Sequence, residues 1–243
     1  MLGLCVALAG KKTEPWMRER YTRNENMLSP EENLSLAGFR VAVVGCGGLG
    51  GHIIEMLTRL GIGHITAIDG DVFEVTNLNR QLLSLPSNLG KPKALEAKER
   101  MALVNPDVEV TAIHQFLTEE NASEMLSGHD VIVDALDNIS SRRIVEKAAT
   151  ALNTPMVFGA IAGWYAQVCA IFPGDQMLDK LYPEGMNKGA ETQLGNPSFT
   201  PALAASLEVA ETLKILLGKG NILRNKLLVV STLDHEYEVI SFE

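Results

Sequence analysis

Cysteine is scarce in this chain of 243 residues. The three cysteines, Cys5, Cys46 and Cys169, are too widely separated for a C-x-x-C pair or a disulfide framework. A reducing cytoplasm is therefore the expected location. The five histidines show no ligand spacing, and paired cysteines are absent, so no zinc site is expected.

Basic residues are also few, because 21 Lys and Arg stand against 30 Asp and Glu and the formal net charge is −9. This balance argues against a protein that coats nucleic acid, which needs a basic excess or stripe. The apolar residues 1–10 are far fewer than the ~20 that span a bilayer, and lysines follow them, unlike in a signal peptide. Neither a nucleic-acid partner nor a membrane is expected.

Short apolar runs alternate with amphipathic stretches along the chain, which predicts one doubly wound, Rossmann-like α/β domain over residues 1–243. Its sheet is predicted to be mostly parallel, with antiparallel C-terminal strands. Residues 1–28 form an N-terminal arm, and residues 173–199, which lack a clean period, form a long crossover-type loop. The last long helix is predicted from Pro201 to about residue 217, with Thr200 as its N-cap.

The predicted strands and helices follow directly from these periods. The predicted strands are 39–45, 64–69, 108–113, 130–136, 155–161 and 165–172, followed by a hairpin over 226–242, and helices are predicted after the glycine-rich turn and over 90–105, 140–153 and 201–217.

Gly45, Gly47 and Gly50 form a G-x-G-x-x-G pattern between the first strand and its helix. Such glycines let backbone N–H groups approach a phosphate at the positive helix end. Asp69 ends the second strand, where an acid holds a ribose hydroxyl. These features predict a nucleotide site. A turn used only for helix–sheet packing and an NAD-dependent oxidoreductase are the alternatives.

Polar and cationic residues beyond Asp69 favour a triphosphate over a dinucleotide. Arg80 and Lys93 follow this acid, and a triphosphate needs cations and a divalent metal to offset its charge. Asp137 comes just after a strand and has the oxygen ligands that Mg²⁺ prefers. Two other interpretations stay open, since Asp137 suits a helix cap and Lys93 suits a solvated surface.

Four motifs in this order resemble the ThiF/MoeB/HesA family of ubiquitin-activating-type adenylyltransferases. They are GCGGLG (45–50), DGDVFEVTNLNRQ (69–81), GKPK (90–93) and DALDN (134–138). The segment RYTRN (20–24) is similar to the Arg-Tyr-x-Arg segment of that family. The resemblance implies a homodimer that uses ATP and Mg²⁺. It would adenylate the C-terminal carboxylate of a small ubiquitin-like sulfur carrier ending in Gly-Gly and release pyrophosphate.

The resemblance also implies a role for each matching residue. The nucleotide turn would comprise Gly45, Gly47, Gly48 and Gly50. Asp69 would hold the ribose, with Asp71 supporting the site, and Asp137 would hold Mg²⁺. The phosphates would be contacted by Asn77, Arg80, Gln81 and Lys93. Arg23 would act as an arginine finger at the ATP site of the partner subunit.

The chain departs from the family in its cysteines. Many members hold zinc with two C-x-x-C pairs, and some use a cysteine in the crossover loop; residues 173–199 contain none. We therefore expect the reaction to stop at the acyl-adenylate. Adenylation of a small-molecule or tRNA-borne carboxylate is the main alternative. A non-catalytic partner subunit is disfavoured by the full motif set. The carrier and its pathway stay open.

Overall fold

The computed structural model describes residues 19–183, 186, 189 and 191–242. Its strands form one sheet of eight, in the order β3-β2-β1-β4-β5-β6-β7-β8. The strands are β1 (Arg40–Val44), β2 (His64–Ile68), β3 (Glu109–Ile113), β4 (Val131–Asp134), β5 (Met156–Ala162), β6 (Tyr165–Ile171), β7 (Lys226–Ser231) and β8 (Glu236–Ser241).

The pairs formed among β1 to β5 are all parallel, whereas the pairs β5–β6, β6–β7 and β7–β8 are antiparallel. The predicted fold class, a doubly wound sheet with antiparallel C-terminal strands, is therefore confirmed. The described α-helices are α1 (Pro30–Leu36), α2 (Gly50–Leu60), α3 (Lys93–Val104), α4 (Ala122–Leu126), α5 (Ile139–Ala151), α6 (Met177–Leu181), α7 (Glu191–Leu194) and α8 (Phe199–Leu217). Within the described ranges, none of these has the length and apolar character needed to cross a bilayer.

Helices cover both faces of the sheet, which explains why the central strands are apolar on both sides. One core packs α2, α3 and α8 against residues such as Val41 and Val43 of β1. The other packs α4, α5 and α6 against Ala42 and Val44 of the same strand. The strand order reverses between β1 and β4, and open α/β sheets bind ligands at the carboxyl ends of strands flanking such a point.

Two local predictions were wrong. Ser198, rather than Thr200, is the N-cap position of α8, and it makes no side-chain cap hydrogen bond. Thr200 lies inside the helix, where its buried hydroxyl donates to the Gly163 carbonyl at 2.6 Å. The predicted loop over 173–199 also holds two short helices, α6 and α7. Most of the predicted arm, residues 1–18, lies outside the described residues.

Candidate functional site

A cleft with a cavity volume of about 240 Å³ lies at the carboxyl ends of β1, β2 and β4. The structure brings most of the predicted site residues to its walls, from four separate segments of the chain. The predicted residues that line the cleft are Gly45, Gly47, Gly48, Asp69, Asp71, Arg80, Gln81, Lys93 and Asp137.

Two positions of the glycine turn, Gly45 and Gly50, are packed too closely for side chains. A Cβ on Gly45, whose φ is 99°, would lie 2.6 Å from the Ala135 carbonyl oxygen. A Cβ on Gly50 would lie only 1.7 Å from the carbonyl oxygen of Gly45. Gly50 itself does not line the cleft. Its lack of a side chain allows the close backbone packing of the turn. The turn leads into the first residues of α2, whose positive dipole end favours a bound anion.

Asp69 links the second strand to this turn. Its Oδ2 accepts a hydrogen bond from the Cys46 N–H at 2.7 Å, and its Oδ1 accepts one from the Asp71 N–H at 2.8 Å. Burial raises the pKa of Asp69, and these two backbone N–H donors oppose that shift. A carboxylate oxygen keeps a second lone pair, so Asp69 can still accept from a ribose hydroxyl.

Two cations stand on the wall beyond Asp69. Lys93 is the first residue of α3, and its nearly buried ammonium lies 3.3 Å from Oδ2 of Asp71. Arg80 donates from Nη1 to the Thr76 carbonyl at 3.0 Å and to Asn79 Oδ1 at 2.9 Å. The interpretation of Lys93 as solvated surface is wrong, because its side chain is only 9% exposed.

Asp137 projects from the turn after β4 into the same cleft. The alternative role as a helix cap belongs instead to Asn138, whose Oδ1 accepts from the Ser141 N–H at 2.8 Å. The exposed carboxylate of Asp137 leaves its oxygens accessible. Mg²⁺ is commonly held by one or two carboxylates together with substrate phosphates, so this donor fits an ATP-linked Mg²⁺. Among the described residues, no group of three or more His, Cys, Asp or Glu side chains could hold a metal by itself.

Asn77 and Arg23 are not brought to this cleft. The buried Asn77 accepts from the Glu74 N–H at 2.9 Å through Oδ1, and its carbonyl accepts from the N–H groups of Arg80 and Gln81. It therefore holds the turn that presents those two residues. Arg23 lies exposed on a 3₁₀ turn over Thr22–Asn24.

The cleft also contains residues that the motifs did not single out. Phe116 follows β3, and a Cβ on Gly70 would lie 2.6 Å from its ring. Its position just past a strand end was a usable signal, because parallel strands end at one edge. Asn196 and Pro201 also line the cleft but come from the segment before β7, where no local pattern pointed to the site.

A buried ion pair supports the turn that carries Asp137. Asp134 accepts from the Leu136 N–H at 3.0 Å, and its Oδ2 lies 3.7 Å from Nε of Arg142. Arg142 also donates to the Leu136 carbonyl, so both sides of that residue are held. Burial raises the pKa of Asp134 to about 6, and the Arg142 charge opposes the rise.

Neither described cysteine has the environment of a nucleophile. Cys46 and Cys169 are both fully buried. Burial raises the pKa of each thiol, and nearby carboxylates raise it further. The thiolate is the reactive form of cysteine, so both side chains are suited to packing.

Comparison with known proteins agrees with this geometry. A sulfur carrier protein adenylyltransferase of Thermus thermophilus is 36% identical over 241 residues, which covers 93% of this chain and 89% of the relative. The SAMP-activating enzyme E1 of Haloferax volcanii is 31% identical over 229 residues, covering 92% and 85%.

A solved structure shares the fold at lower identity. E. coli MccB, crystallised with ATP, superimposes with a TM-score of 0.79 at 23% identity, over 96% of this chain and 72% of MccB. The ThiF family matches residues 21–243, a range that includes every segment contributing to the cleft. The chain therefore belongs to the ThiF family.

Proposed function

We propose that this protein is an ATP-dependent adenylyltransferase. It activates the C-terminal carboxylate of a small ubiquitin-like sulfur carrier as an acyl-adenylate and releases pyrophosphate. The observation that carries the proposal is the convergence of Arg80, Lys93 and Asp137 on one glycine turn beside Asp69. An NAD site needs the turn and the acid but has no use for this cluster of charges.

The chemistry requires positioning and charge more than a reactive side chain. A C-terminal carboxylate is already ionised at pH 7, so it attacks the α-phosphorus without a general base. The bond from that phosphorus to the β-phosphate oxygen breaks, and pyrophosphate leaves. Arg80 and Lys93 stabilise its negative charge in a site where Lys93 is shielded from water. Mg²⁺ held through Asp137 would supply further charge neutralisation.

The choice of a carrier protein as substrate draws on the relatives. The Thermus thermophilus relative is named for a sulfur carrier protein, and the Haloferax volcanii relative is named as a SAMP-activating E1. Buried Cys46 and Cys169 support the view that the reaction ends at the acyl-adenylate. The alternative substrate is a small-molecule or tRNA-borne carboxylate, and adenylation of such a carboxylate would replace the carrier protein in this proposal.

We also propose that the enzyme is a homodimer in which Arg23 serves the partner's cleft. Lys93 of α3 and Leu49 before α2 both line the cleft, so these helices run away from it. The 11 residues of α2 make it about 16 Å long. Tyr21 contacts Gly61 at the far end of α2. Arg23, two residues later, therefore suits a neighbouring cleft better than its own.

Pyrophosphate exchange tests the proposal. Small proteins ending in Gly-Gly from the same genome are purified singly and incubated with the enzyme, ATP, Mg²⁺ and labelled pyrophosphate. We expect label to enter ATP with at least one of them and not without a carrier. No exchange with any carrier, together with exchange driven by a free carboxylic acid or with NAD binding, would contradict the proposal.

Asp137→Ala should abolish this exchange. Asp130→Ala is the matched control, because Asp130 lies at the other end of β4 and accepts from the Arg40 N–H at 2.8 Å. Near-normal exchange by Asp137→Ala would remove Asp137 from the mechanism.

A further inference from the structure

Asn105 connects the N-terminal arm to the body of the domain. Its side chain is fully buried at the end of α3. Its Nδ2 donates to the Tyr21 hydroxyl oxygen at 2.7 Å and to the Thr58 carbonyl at 2.9 Å. Its Oδ1 accepts from the Arg20 guanidinium and from the Asp107 N–H at 3.3 Å. One amide thus joins two consecutive arm residues to the ends of α2 and α3.

The Tyr21 ring adds a steric constraint to these bonds. Gly61 ends α2 with φ of 89°, and a Cβ there would lie 2.7 Å from the Tyr21 hydroxyl oxygen. A side chain at position 61 would therefore displace the ring. Arg20 makes a second bond, to the Val104 carbonyl at 2.8 Å. We call Arg20, Tyr21 and Asn105 the arm latch.

The arm is held again a few residues later. Leu28 is buried in the core, and the Lys219 ammonium lies 3.4 Å from the Met27 carbonyl oxygen and 2.8 Å from Glu32 Oε1. The turn that carries Arg23 lies between these two attachments. The guanidinium of Arg23 is exposed and forms no hydrogen bond or ion pair with another described residue. The two attachments therefore set where Arg23 is presented.

We infer that Asn105 is a positioning residue for Arg23, acting through Arg20 and Tyr21. This inference rests on the proposed action of Arg23 at the partner's cleft. Pre-ordering the arm lowers the conformational entropy that is lost when Arg23 engages a triphosphate. Without the latch, the arm must be ordered at that moment, and binding weakens. A side chain in one subunit then controls ATP binding in the other.

Mixed dimers separate this role from ordinary stability. A subunit with Arg23→Ala is paired with a subunit carrying Asp137→Ala, each with a different affinity tag. In such a dimer only one cleft is complete: the cleft of the Arg23→Ala chain, which receives Arg23 from its partner. Asn105→Ala is then introduced into one chain or the other. Both placements carry the same stability cost, so the total fold stability of the dimer is matched.

Binding of Mg²⁺-ATP by calorimetry is the readout, with exchange as a second measurement. In the Asp137→Ala chain, whose arm supplies Arg23, Asn105→Ala should weaken ATP binding at the complete cleft by about tenfold or more. In the Arg23→Ala chain, whose arm has no arginine to position, it should change binding less than about twofold. Equal effects from both placements would mean that Asn105 only stabilises the fold and would overturn the inference.

Failure of the underlying proposal gives a different result. If the mixed dimer without an Asn105 change shows neither Mg²⁺-ATP binding at one cleft nor exchange, the proposed action of Arg23 at the partner's cleft is wrong. That conclusion does not depend on the effect of Asn105→Ala. If Asn105→Ala does not fold, Arg20→Ala replaces it in the same design. Arg20→Ala removes one of the two arm residues from the latch and leaves the buried bonds from Asn105 to Tyr21 and Thr58 in place. Circular dichroism and thermal melting of each homodimer check the folding.

Discussion

The Lys93 ammonium lies 3.3 Å from Oδ2 of Asp71, inside the cleft and at the first residue of α3. The lysine side chain is 9% exposed and the aspartate side chain 57% exposed. The charge that would meet a phosphate is therefore shielded from water, and its counter-ion faces solvent. Burial of this kind strengthens the interaction of a cation with a charged ligand.

Lys93→Ala should lower kcat/KM for ATP in pyrophosphate exchange by about 100-fold. The variant should still fold, because the remaining partner, Asp71, is exposed to water and leaves no buried charge unpaired. Lys91→Ala is the matched control. Its side chain is 55% exposed and pairs with Glu96 away from the cleft, so exchange should change less than about twofold. Equal losses in both variants would contradict a specific role for Lys93.

Gly50→Ala should destabilise the fold by about 3 kcal/mol or more, because the new Cβ would lie 1.7 Å from the backbone oxygen of Gly45. Gly47→Ala should cost less than about 1 kcal/mol, since its nearest neighbour is the flexible amide end of Gln81 at 3.4 Å. Gly47→Ala should nevertheless weaken ATP binding, because this residue lines the cleft. Urea unfolding and ATP titration measure the two effects, and similar stability losses would contradict this account of the turn.

Asp134 should make stability depend on pH. Burial raises its pKa in the folded protein to about 6, against an ordinary value of 3.8, so the folded protein retains a proton that the unfolded chain releases. The resulting stabilisation is complete below about pH 4 and is lost as the pH rises through about 6. Two pKa units correspond to about 3 kcal/mol at most.

Asp134→Asn does not titrate and should lack this change. Its free energy of unfolding, relative to the unchanged protein, should therefore rise by up to about 3 kcal/mol between pH 4 and pH 7. Urea unfolding at several pH values measures the difference. Two parallel stability curves would show that Asp134 titrates normally.

Cys46 and Cys169 should resist alkylation by iodoacetamide until the protein unfolds, because both thiols are buried and their pKa values are raised. Cys5 lies outside the described residues and is replaced by serine for this measurement. Cys46→Ala and Cys169→Ala should each retain carrier-dependent exchange. A carrier thioester or persulfide on either cysteine, detected by intact-protein mass spectrometry, would contradict a reaction that ends at the acyl-adenylate.

Local sequence patterns were sufficient to predict the sheet and the edge of it at which the cleft lies. Each parallel strand had its own apolar run, and the carboxyl ends of such strands meet at one edge. Asp69 and Asp137, which follow two separate strands, were therefore expected near each other, and both line the cleft. A helix was predicted over 90–105, and α3 begins within that range, at Lys93.

Contacts between distant residues had no such signal. Thr200 precedes a proline and resembles an N-cap in sequence, but its hydroxyl donates a hydrogen bond to the Gly163 carbonyl. Asn77 matches a family motif, but its Oδ1 accepts from the Glu74 N–H three residues earlier, so its side chain closes a local 3₁₀ turn. Both buried polar groups are hydrogen-bonded, as buried polar groups generally are, but the Thr200 bond joins residues 37 positions apart, which sequence spacing does not reveal.

The amino-acid sequence alone determined the α/β class, the glycine turn and the acids at the strand ends, because each depends on a local period or on neighbours in the chain. Only the tertiary structure decided which side chains enclose the cleft and how the arm is held. Asn105 meets Arg20 and Tyr21 across more than eighty residues of sequence. The folding of α2 and α3 onto one face of the sheet creates that contact.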